Sequence, residues 1–529
     1  MQPRVVIIGL DGATFQVLDP LMKQGVMPFL ARFAAEGTRA GLRTIVPALT
    51  PPAWTSLMTG RSPGHHGVFD FFRMDSRDSR LIRFTTSSDV ACETIWSAAS
   101  RQRRRVTTLN FPLMFPAPRI EGHVVAGWVP WKQLRLACHP EGLFDRLRSL
   151  PGFDQRELAM DIKLEERATE GCSNPDEYAP WIELHIRREQ HWFEILEHLM
   201  DTDPSHLTAV LFDGVDKLQH LCWRFIAASP DTEWRESWER RAFELCREYF
   251  RRLDGIVELI CARAGRDARI FIASDHGFGP TRQVFHVNAW LERQGYLAWA
   301  DGLEPDARDP ALLGVGRVAR HTFQMDWTRT RAFATTPTSN GIYINEFPDR
   351  PQDEYFAMRE RISDELRRLR HPGTGQRVVR QIYTREEAFA GPFSSMAPDL
   401  TLELHDGGLV SILPSDHVFS ERPTVAGAHR PVGVFLAKGP GIRAGVTSPE
   451  LSILDVAPTV LYSLGLAVAE DLEGAVPESI FEAGVLESRP VERAAAAGAP
   501  VREPAPVAAL DADQEAIVMR RLQELGYVE

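Results

Sequence analysis

Three stretches of this chain share one design, and that design leaves few folds open. Val5-Val-Ile-Ile-Gly-Leu-Asp11, Leu207-Thr-Ala-Val-Leu-Phe-Asp213 and Ala268-Arg-Ile-Phe-Ile-Ala-Ser-Asp275 are apolar runs rich in β-branched residues, each closed by an aspartate. Strands apolar on both faces suit a sheet covered on both sides, and helical patterns at Leu21 to Gly37, Trp181 to Met200 and Trp234 to Ala264 supply the cover. The expected fold class is therefore α/β with a mostly parallel central sheet. In open sheets of this kind ligands bind beyond the carboxyl ends of the strands. All three aspartates fall there, so the acids are expected to converge.

At 529 residues the chain exceeds one simple domain, yet large α/β enzymes run this long around a single sheet. One catalytic domain over residues 1–486 is expected, with an insertion over about 112–204. That insertion lacks the regular alternation and carries Trp128, Trp131, Trp181, Trp192 and Phe193, so much of it reads as a cap that selects substrate. A smaller α+β unit is expected over about 331–403, with short strands such as Gly341-Ile-Tyr-Ile-Asn345 and a helix near Gln352 to Leu369, before the core resumes at Val432 to Ala437. Residues 487–509 are rich in Ala and Pro and read as a linker, after which Asp511 caps a C-terminal helix over 510–529.

The formal net charge is -12 and no Lys/Arg run is placed to form a basic stripe, so no nucleic-acid partner is expected. No uninterrupted apolar stretch reaches the roughly 18 residues of a spanning helix, so no membrane span is expected either. Val5 to Leu10 is too short for a signal peptide. Cys92, Cys138, Cys172, Cys222, Cys246 and Cys261 show no CxxC spacing, which suits free thiols and a cytoplasmic location.

Several polar residues stand where chemistry is done. Asp275-His276 ends a buried strand and precedes Gly277, which permits a sharp turn, so the pair can act as metal ligands. Asp216 and His220 follow the middle strand with four-residue spacing and face the same way on a helix, so they can share one ion. Asp213 ends the same strand and competes with Asp216, but lacks that spacing to His220. Thr50-Pro-Pro-Ala-Trp-Thr-Ser-Leu-Met-Thr-Gly60 places Thr50 at or near a helix N-terminus, which favours an anion. Taken singly, each has an ordinary explanation: a loop dipeptide, a surface pair, a helix cap.

Together these segments resemble the type I phosphodiesterase/nucleotide pyrophosphatase branch of the alkaline phosphatase superfamily. The resemblance rests on Gly9-Leu-Asp11-Gly, Thr50-Pro-Pro-Ala-Trp with Leu57-Met-Thr-Gly60 and His66-Gly67, Asp216-Lys-Leu-Gln-His220, Ser274-Asp-His-Gly277, and His429 ahead of Gly433-Val-Phe-Leu-Ala-Lys-Gly439, all in the family's order. Ser452-Ile-Leu-Asp-Val-Ala-Pro-Thr459 and the closing Leu525-Gly-Tyr-Val-Glu529 also look like this group. The resemblance implies an α/β/α sandwich with two divalent metal ions, zinc first, with manganese or iron as alternatives. It makes Asp11, Asp275 and His276 the ligands of one ion, which Thr50 also touches, and Asp216, His220 and His429 the ligands of the other. Thr50 is then the nucleophile, forming a covalent phosphothreonine on a small-molecule phosphate ester.

The sequence also departs from the family. The nucleotide pyrophosphatases carry an Asn shortly after the His-Gly that helps hold a phosphate oxygen, whereas this chain has Phe71. Arg282, Lys132 and Arg430 are candidates to replace it. A sulfatase-like pattern ends at Arg61, but threonine cannot become the formylglycine that sulfatases use, and Trp54 replaces that motif's Arg. A phosphodiesterase is the expected activity, with a phosphomonoesterase, phosphonate hydrolase or phosphotransferase/mutase as alternatives on the same fold.

Overall fold

The computed structural model describes residues 4–497 apart from 75, 78–81, 159–174, 301–321, 346–351 and 406. The C-terminal helix expected over 510–529 and Cys172 lie outside the described residues.

In chain order the strands that matter here are β1 (Arg4–Leu10), β2 (Thr38–Arg43), β3 (Val106–Leu109), β4 (Gly122–Val125), β5 (Cys138–His139), β6 (Leu207–Phe212), β7 (Ala268–Ala273), β8 (Gly277–His286), β9 (Phe419–Arg430) and β10 (Val432–Lys438). The helices are α1 (Thr50–Thr59), α2 (Tyr178–Thr202), α3 (Gly214–Ile226) and α4 (Ser237–Ala264). All of these strands except β8 and β9 belong to one sheet, in the order β2, β10, β7, β1, β6, β3, β4, β5, extended beyond β2 by Val446–Thr447. The five strands from β7 to β4 run parallel. β10 is antiparallel to both neighbours and β5 is antiparallel to β4, so the large sheet is mixed at its flanks. The fold is α/β, and β1 and β6 are buried almost throughout, as apolar strands covered on both faces must be.

β1 lies between β6 and β7, with Leu10 opposite Phe212 and Gly9 opposite Ala273. The chain therefore leaves all three strands at one end of the sheet, and Asp11, Asp213 and Asp275 emerge side by side. The expected helix over Leu21 to Gly37 is two helices, Phe15–Lys23 and Pro28–Glu36, because the chain turns at Gly25 with φ 70° and Pro28 starts the second.

Among the described residues of the span 112–204, much belongs to the body of the domain rather than to a cap. β4 and β5 extend the large sheet, and Trp181, Trp192 and Phe193 of α2 join the main hydrophobic core. The sequence hid this because a four-residue strand such as β4 shows too little pattern to distinguish from a loop. A second core instead gathers residues between Phe285 and Val418. It packs the helix Gln352–Arg368 near a four-stranded sheet ordered Ala332–Phe333, Gly341–Ile344, Leu400–Leu404, Val379–Thr384. β8 leads into this unit and β9 leads out, paired antiparallel from Gly277↔Arg430 to Phe285↔Phe419. One end of that ladder thus meets the main sheet, and the other enters the second core.

The stretch from 487 is likewise not all linker. Arg493–Ala494 pairs with Val468–Ala469, and the Arg489 guanidinium donates to the Tyr462 carbonyl, tying this part of the chain to the body. No helix among the described residues is long and apolar enough to cross a membrane. Cys92, Cys138, Cys222, Cys246 and Cys261 are free thiols.

Candidate active site

The structure brings Asp11, Thr50, Asp216, His220, Asp275, His276 and His429 to one point and leaves Asp213 outside both ligand groups. Two groups of ligand-type side chains form, Asp11 with Asp275 and His276, and Asp216 with His220 and His429, with the ligand atoms of each group within 4.8 Å of one another. The groups abut: the rings of His276 and His429 stack at 3.7 Å, and His276 Nε2 lies 4.0 Å from Asp216 Oδ1. Thr50 Oγ1 stands 3.1 Å from His276 Nε2.

Each position has a local cause. Gly277 carries no positive φ; its role is space, because a Cβ there would meet the Val432 carbonyl at 2.0 Å where β10 begins. The turn the sequence suggested is thus a close approach of two backbones. Asp216 and His220 share one face of α3, with His220 Nε2 3.5 Å from Asp216 Oδ1. His429 reaches the site from β9, opposite Phe278 of β8, and its Nε2 lies 3.2 Å from Asp216 Oδ1 and 3.1 Å from His220 Nε2.

Ring tautomers follow from the partners on the far side. Carbonyl oxygens only accept, so His429 Nδ1–H donates to Ala48 (3.0 Å) and His276 Nδ1–H donates to Gly277 (3.1 Å). Both rings therefore turn an Nε2 lone pair inward. The carboxylates face the same way. Asp11 Oδ1, Asp216 Oδ1 and Asp275 Oδ2 are shielded from water and have no hydrogen-bond partner among the described residues. Each carboxylate thus keeps one buried oxygen without a donor, a state that is costly for an ionised group unless a cation meets it. Three such oxygens beside three imidazoles can accept cations, and the donor set of carboxylate oxygen and imidazole nitrogen fits divalent zinc, manganese or iron.

The charge pattern agrees. Burial, with the negative charge of Asp275 added, holds the Asp11 carboxyl well above the ordinary range. Burial pushes Asp275 up to about 7 even though the Gly12 N–H donates to it. Burial also works against the charge on Asp216, but the contacts with His220 and His429 bring it well below the usual carboxylate value. His276 is held well below the usual imidazole value by burial and His429, and burial lowers His220 as well.

Supporting residues that the sequence did not single out hold this arrangement. Trp54 Nε1 donates to Asp11 Oδ2 (3.3 Å) and so orients that carboxylate. Gln219 Nε2 donates to the Gly12 carbonyl (2.9 Å) and so ties α3 to the loop that follows β1. Val68 N–H donates to His66 Nδ1, so His66 Nε2–H donates to Ser56 Oγ (3.0 Å) and pins α1, and burial pushes the ring down to about 3. Their signal was present, since Trp54 and His66 lie inside the quoted motifs, but only the fold shows them as supports. At α1, Pro51 and Pro52 remove two N–H groups that a helix N-terminus would offer an anion, leaving the Thr50 N–H beside its own hydroxyl.

Asp213 belongs to neither ligand group. It precedes α3, accepts from Asn110 Nδ2 (3.4 Å) and stands near Glu189 of α2. Glu189 Oε1 accepts from Gly214 N–H and Tyr249 O–H, both 2.8 Å, and so anchors the start of α3. Burial, reinforced by Asp213, pushes Glu189 up to about 8. A carboxyl that keeps its proton when folded but loses it when unfolded makes stability fall as pH rises from about 4.5 to about 8. Glu189→Gln keeps the accepting oxygen and removes the titration. Thermal unfolding should therefore show the variant gaining on the wild type by on the order of a few kcal/mol between about pH 5 and about pH 9. Parallel pH profiles for the two proteins would refute this.

Of the cations considered in place of the family's Asn, Arg430 directs its guanidinium to the carbonyls of Pro280, Ala428 and His429, and Arg282 and Lys132 are exposed. Phe71 itself stacks on Trp128, and Lys217 Nζ lies over the other ring system's face, 4.3 Å from the Trp128 centroid.

With this geometry in place, comparison with known proteins is informative. The model of the type I phosphodiesterase/nucleotide pyrophosphatase family matches residues 5–429. No curated protein sequence matches the chain. Among solved structures, the fold is similar to murine ectonucleotide pyrophosphatase/phosphodiesterase 5, both as an inactive variant in complex with AMP (TM-score 0.51, 13% identity, 88% of this chain and 96% of that one) and on its own (0.50, 14%, 88% and 95%). Phosphonoacetate hydrolase from Sinorhizobium meliloti 1021, in complex with phosphonoformate, also matches (0.47, 16%, 88% and 95%).

Proposed function

The chain belongs to the type I phosphodiesterase/nucleotide pyrophosphatase family, and on that premise we propose that it is a two-metal phosphodiesterase whose nucleophile is Thr50. The coarser activity is given by family and fold together: it is a phosphoester hydrolase of the alkaline phosphatase superfamily. The observation that supports the finer reading is the set of three unpartnered, buried carboxylate oxygens facing two inward imidazole lone pairs, with the Thr50 hydroxyl at their edge.

Asp11, Asp275 and His276 would hold one divalent cation, zinc by preference, and Asp216, His220 and His429 the second. Bound there, the cations supply charge that favours the Thr50 alkoxide and neutralises the oxygens of the phosphoryl group. The chain's residues do the rest. Thr50 is held at the first turn of α1, within reach of one ligand group, so its Oγ can approach phosphorus in line with the departing ester oxygen. The Oγ–P bond forms as the bond to the leaving oxygen breaks, and water then hydrolyses the Thr50 ester and restores the hydroxyl. Phe71 stands in sequence where the family has a polar phosphate ligand and stacks on Trp128, an apolar substitution that suits an ester carrying one negative charge.

A rate comparison on bis(p-nitrophenyl) phosphate, p-nitrophenyl phosphate, a phosphonate monoester and a sulfate ester tests the reading. The diester is expected to be turned over fastest, and chelation of the metals is expected to abolish the activity. Faster turnover of the monoester would replace the diesterase reading by a phosphomonoesterase.

A further inference from the structure

The row Phe71, Trp128, Lys217 lies outside both ligand groups, and the chemistry above does not use its charge. We propose that this row is a subsite for a second anionic group, carried on an ester arm of the substrate away from the reacting phosphorus; the proposal rests on the phosphodiesterase reading of the neighbouring site.

Position comes first. Lys217 follows Asp216 directly on α3, and one residue of an α-helix is a rotation of about 100°. Its side chain therefore leaves the helix beside the metal-ligating face rather than on it, so its charge serves a neighbouring group and not the phosphorus itself. The charge is nevertheless close enough to act on His220. On the sheet side, Trp128 follows Gly127, where a Cβ would meet Asn110 Oδ1 at 2.2 Å, and Asn110 Nδ2 donates to the Leu211 carbonyl and to Asp213 Oδ1. Asn110 and Trp128 both adopt positive φ, 65° and 63°, just past the ends of the parallel strands β3 and β4. Non-glycine residues hold such backbone only where their surroundings over-determine it, and such residues cluster at binding sites. The row thus continues the carboxyl edge of the sheet outward from Asp11 and Asp213.

Chemistry comes second. Lys217 is only 8% exposed, and its ammonium lies over the Trp128 ring, a cation–π contact that holds the side chain in place while it is largely removed from water. Trp128 Nε1 is shielded from water with no hydrogen-bond partner among the described residues. An ammonium and an indole N–H are both donors, and indole N–H groups removed from water ordinarily have an acceptor. Two donors beside a stacked Phe71–Trp128 pair, ring centroids 5.7 Å apart, suit an arm whose apolar part lies along the rings and whose carboxylate or phosphate oxygen meets the cation.

Two p-nitrophenyl phosphodiesters that differ only in the second arm, 2-carboxyethyl against n-propyl, test this. Wild-type protein is expected to prefer the carboxylate ester by about tenfold or more in kcat/KM, the scale of one charged hydrogen bond. Lys217→Met should bring the ratio near one, and Lys217→Arg should keep most of it. The same preference should be read as Kd by calorimetry with Thr50→Ala, whose binding does not depend on turnover. Equal kcat/KM and equal affinity for the two esters, or a preference that survives in Lys217→Met, would overturn the subsite. If wild-type protein hydrolysed neither ester while Thr50→Ala still bound the carboxylate ester more tightly, the subsite would stand and the diesterase reading would fall.

Discussion

Thr50→Ala is expected to lower kcat on bis(p-nitrophenyl) phosphate by roughly 10⁴-fold or more, the scale seen when an enzyme loses its nucleophile. The expectation follows from where the hydroxyl stands. Thr50 is 2% exposed, 3.1 Å from His276 Nε2, and held by a helix that His66 and Ser56 pin from behind. Alanine removes the attacking oxygen and leaves that support untouched, so the protein should remain folded. Thr50→Ser keeps an oxygen in the same place and should retain measurable turnover. The serine side chain lacks the methyl that limits χ1, so some loss from poorer alignment is expected. Steady-state kinetics on the three proteins, at matched metal content, gives the answer. If Thr50→Ala stayed within about tenfold of wild type, roughly 1.4 kcal/mol in barrier, the nucleophile would have to be another group.

His429→Ala should reduce the metal content from two ions per chain to one and abolish diester hydrolysis. His429 supplies a nitrogen 3.2 Å from Asp216 Oδ1 and 3.1 Å from His220 Nε2, and no other His, Cys, Asp or Glu among the described residues completes that group. Its ring is held on two further sides, by the Ala48 carbonyl and by stacking on His276. Without it, Asp216 and His220 alone would have to retain an ion, and a two-residue site binds zinc far more weakly than a three-residue one. Elemental analysis of dialysed protein measures this directly. Two tightly held ions in the variant would show that the second group is built differently. His429 also lies on β9, whose other end enters the second core, so metal loss should loosen the start of that ladder. Amide exchange of β8 and β9 should rise in the variant near Phe278 and remain slow near Phe285.

Part of the site was readable from local pattern because some of its residues sit at strand ends, whereas the ligand sets, His429 and the role of Thr50 came only from the resemblance in motif order. Asp11, Asp213 and Asp275 each close an apolar run, and a run of that length both declares a buried strand and marks where it stops. The pairing of β1 with β6 and β7 then brings the ends together. Asp216 and His220 were readable because helical spacing is local. The choice of Asp216 over Asp213 also came from spacing, and the two ligand groups contain Asp216 and not Asp213.

What local pattern could not carry was the division of the chain into units. The aromatic content of residues 112–204 suggested a cap, yet Trp181, Trp192 and Phe193 bury themselves in the main core, and β4 is too short to announce itself. Residues between Phe285 and Val418 form the separate core, because β8 and β9 carry the chain out of the main sheet and back. The linker expected from 487 ignored that two residues, Arg493 and Ala494, suffice to add a strand beside Val468 and Ala469.

By itself, then, the sequence determined the strands β1, β6 and β7, their terminal acids and the helical Asp216/His220 pair, since each depends on residues within a few positions of one another, and it carried the family's motifs in their order. Only the tertiary structure decided which imidazole nitrogens face inward, that Trp54 and Glu189 are supports, and that Lys217 stands over Trp128 beside the site. Most of those facts depend on contacts between residues distant in sequence, such as Glu189 with Gly214, Asp11 with Trp54 and Trp128 with Lys217, and on backbone carbonyls such as that of Ala48. A carbonyl acceptor has no side-chain identity to read, and a long-range contact has no period.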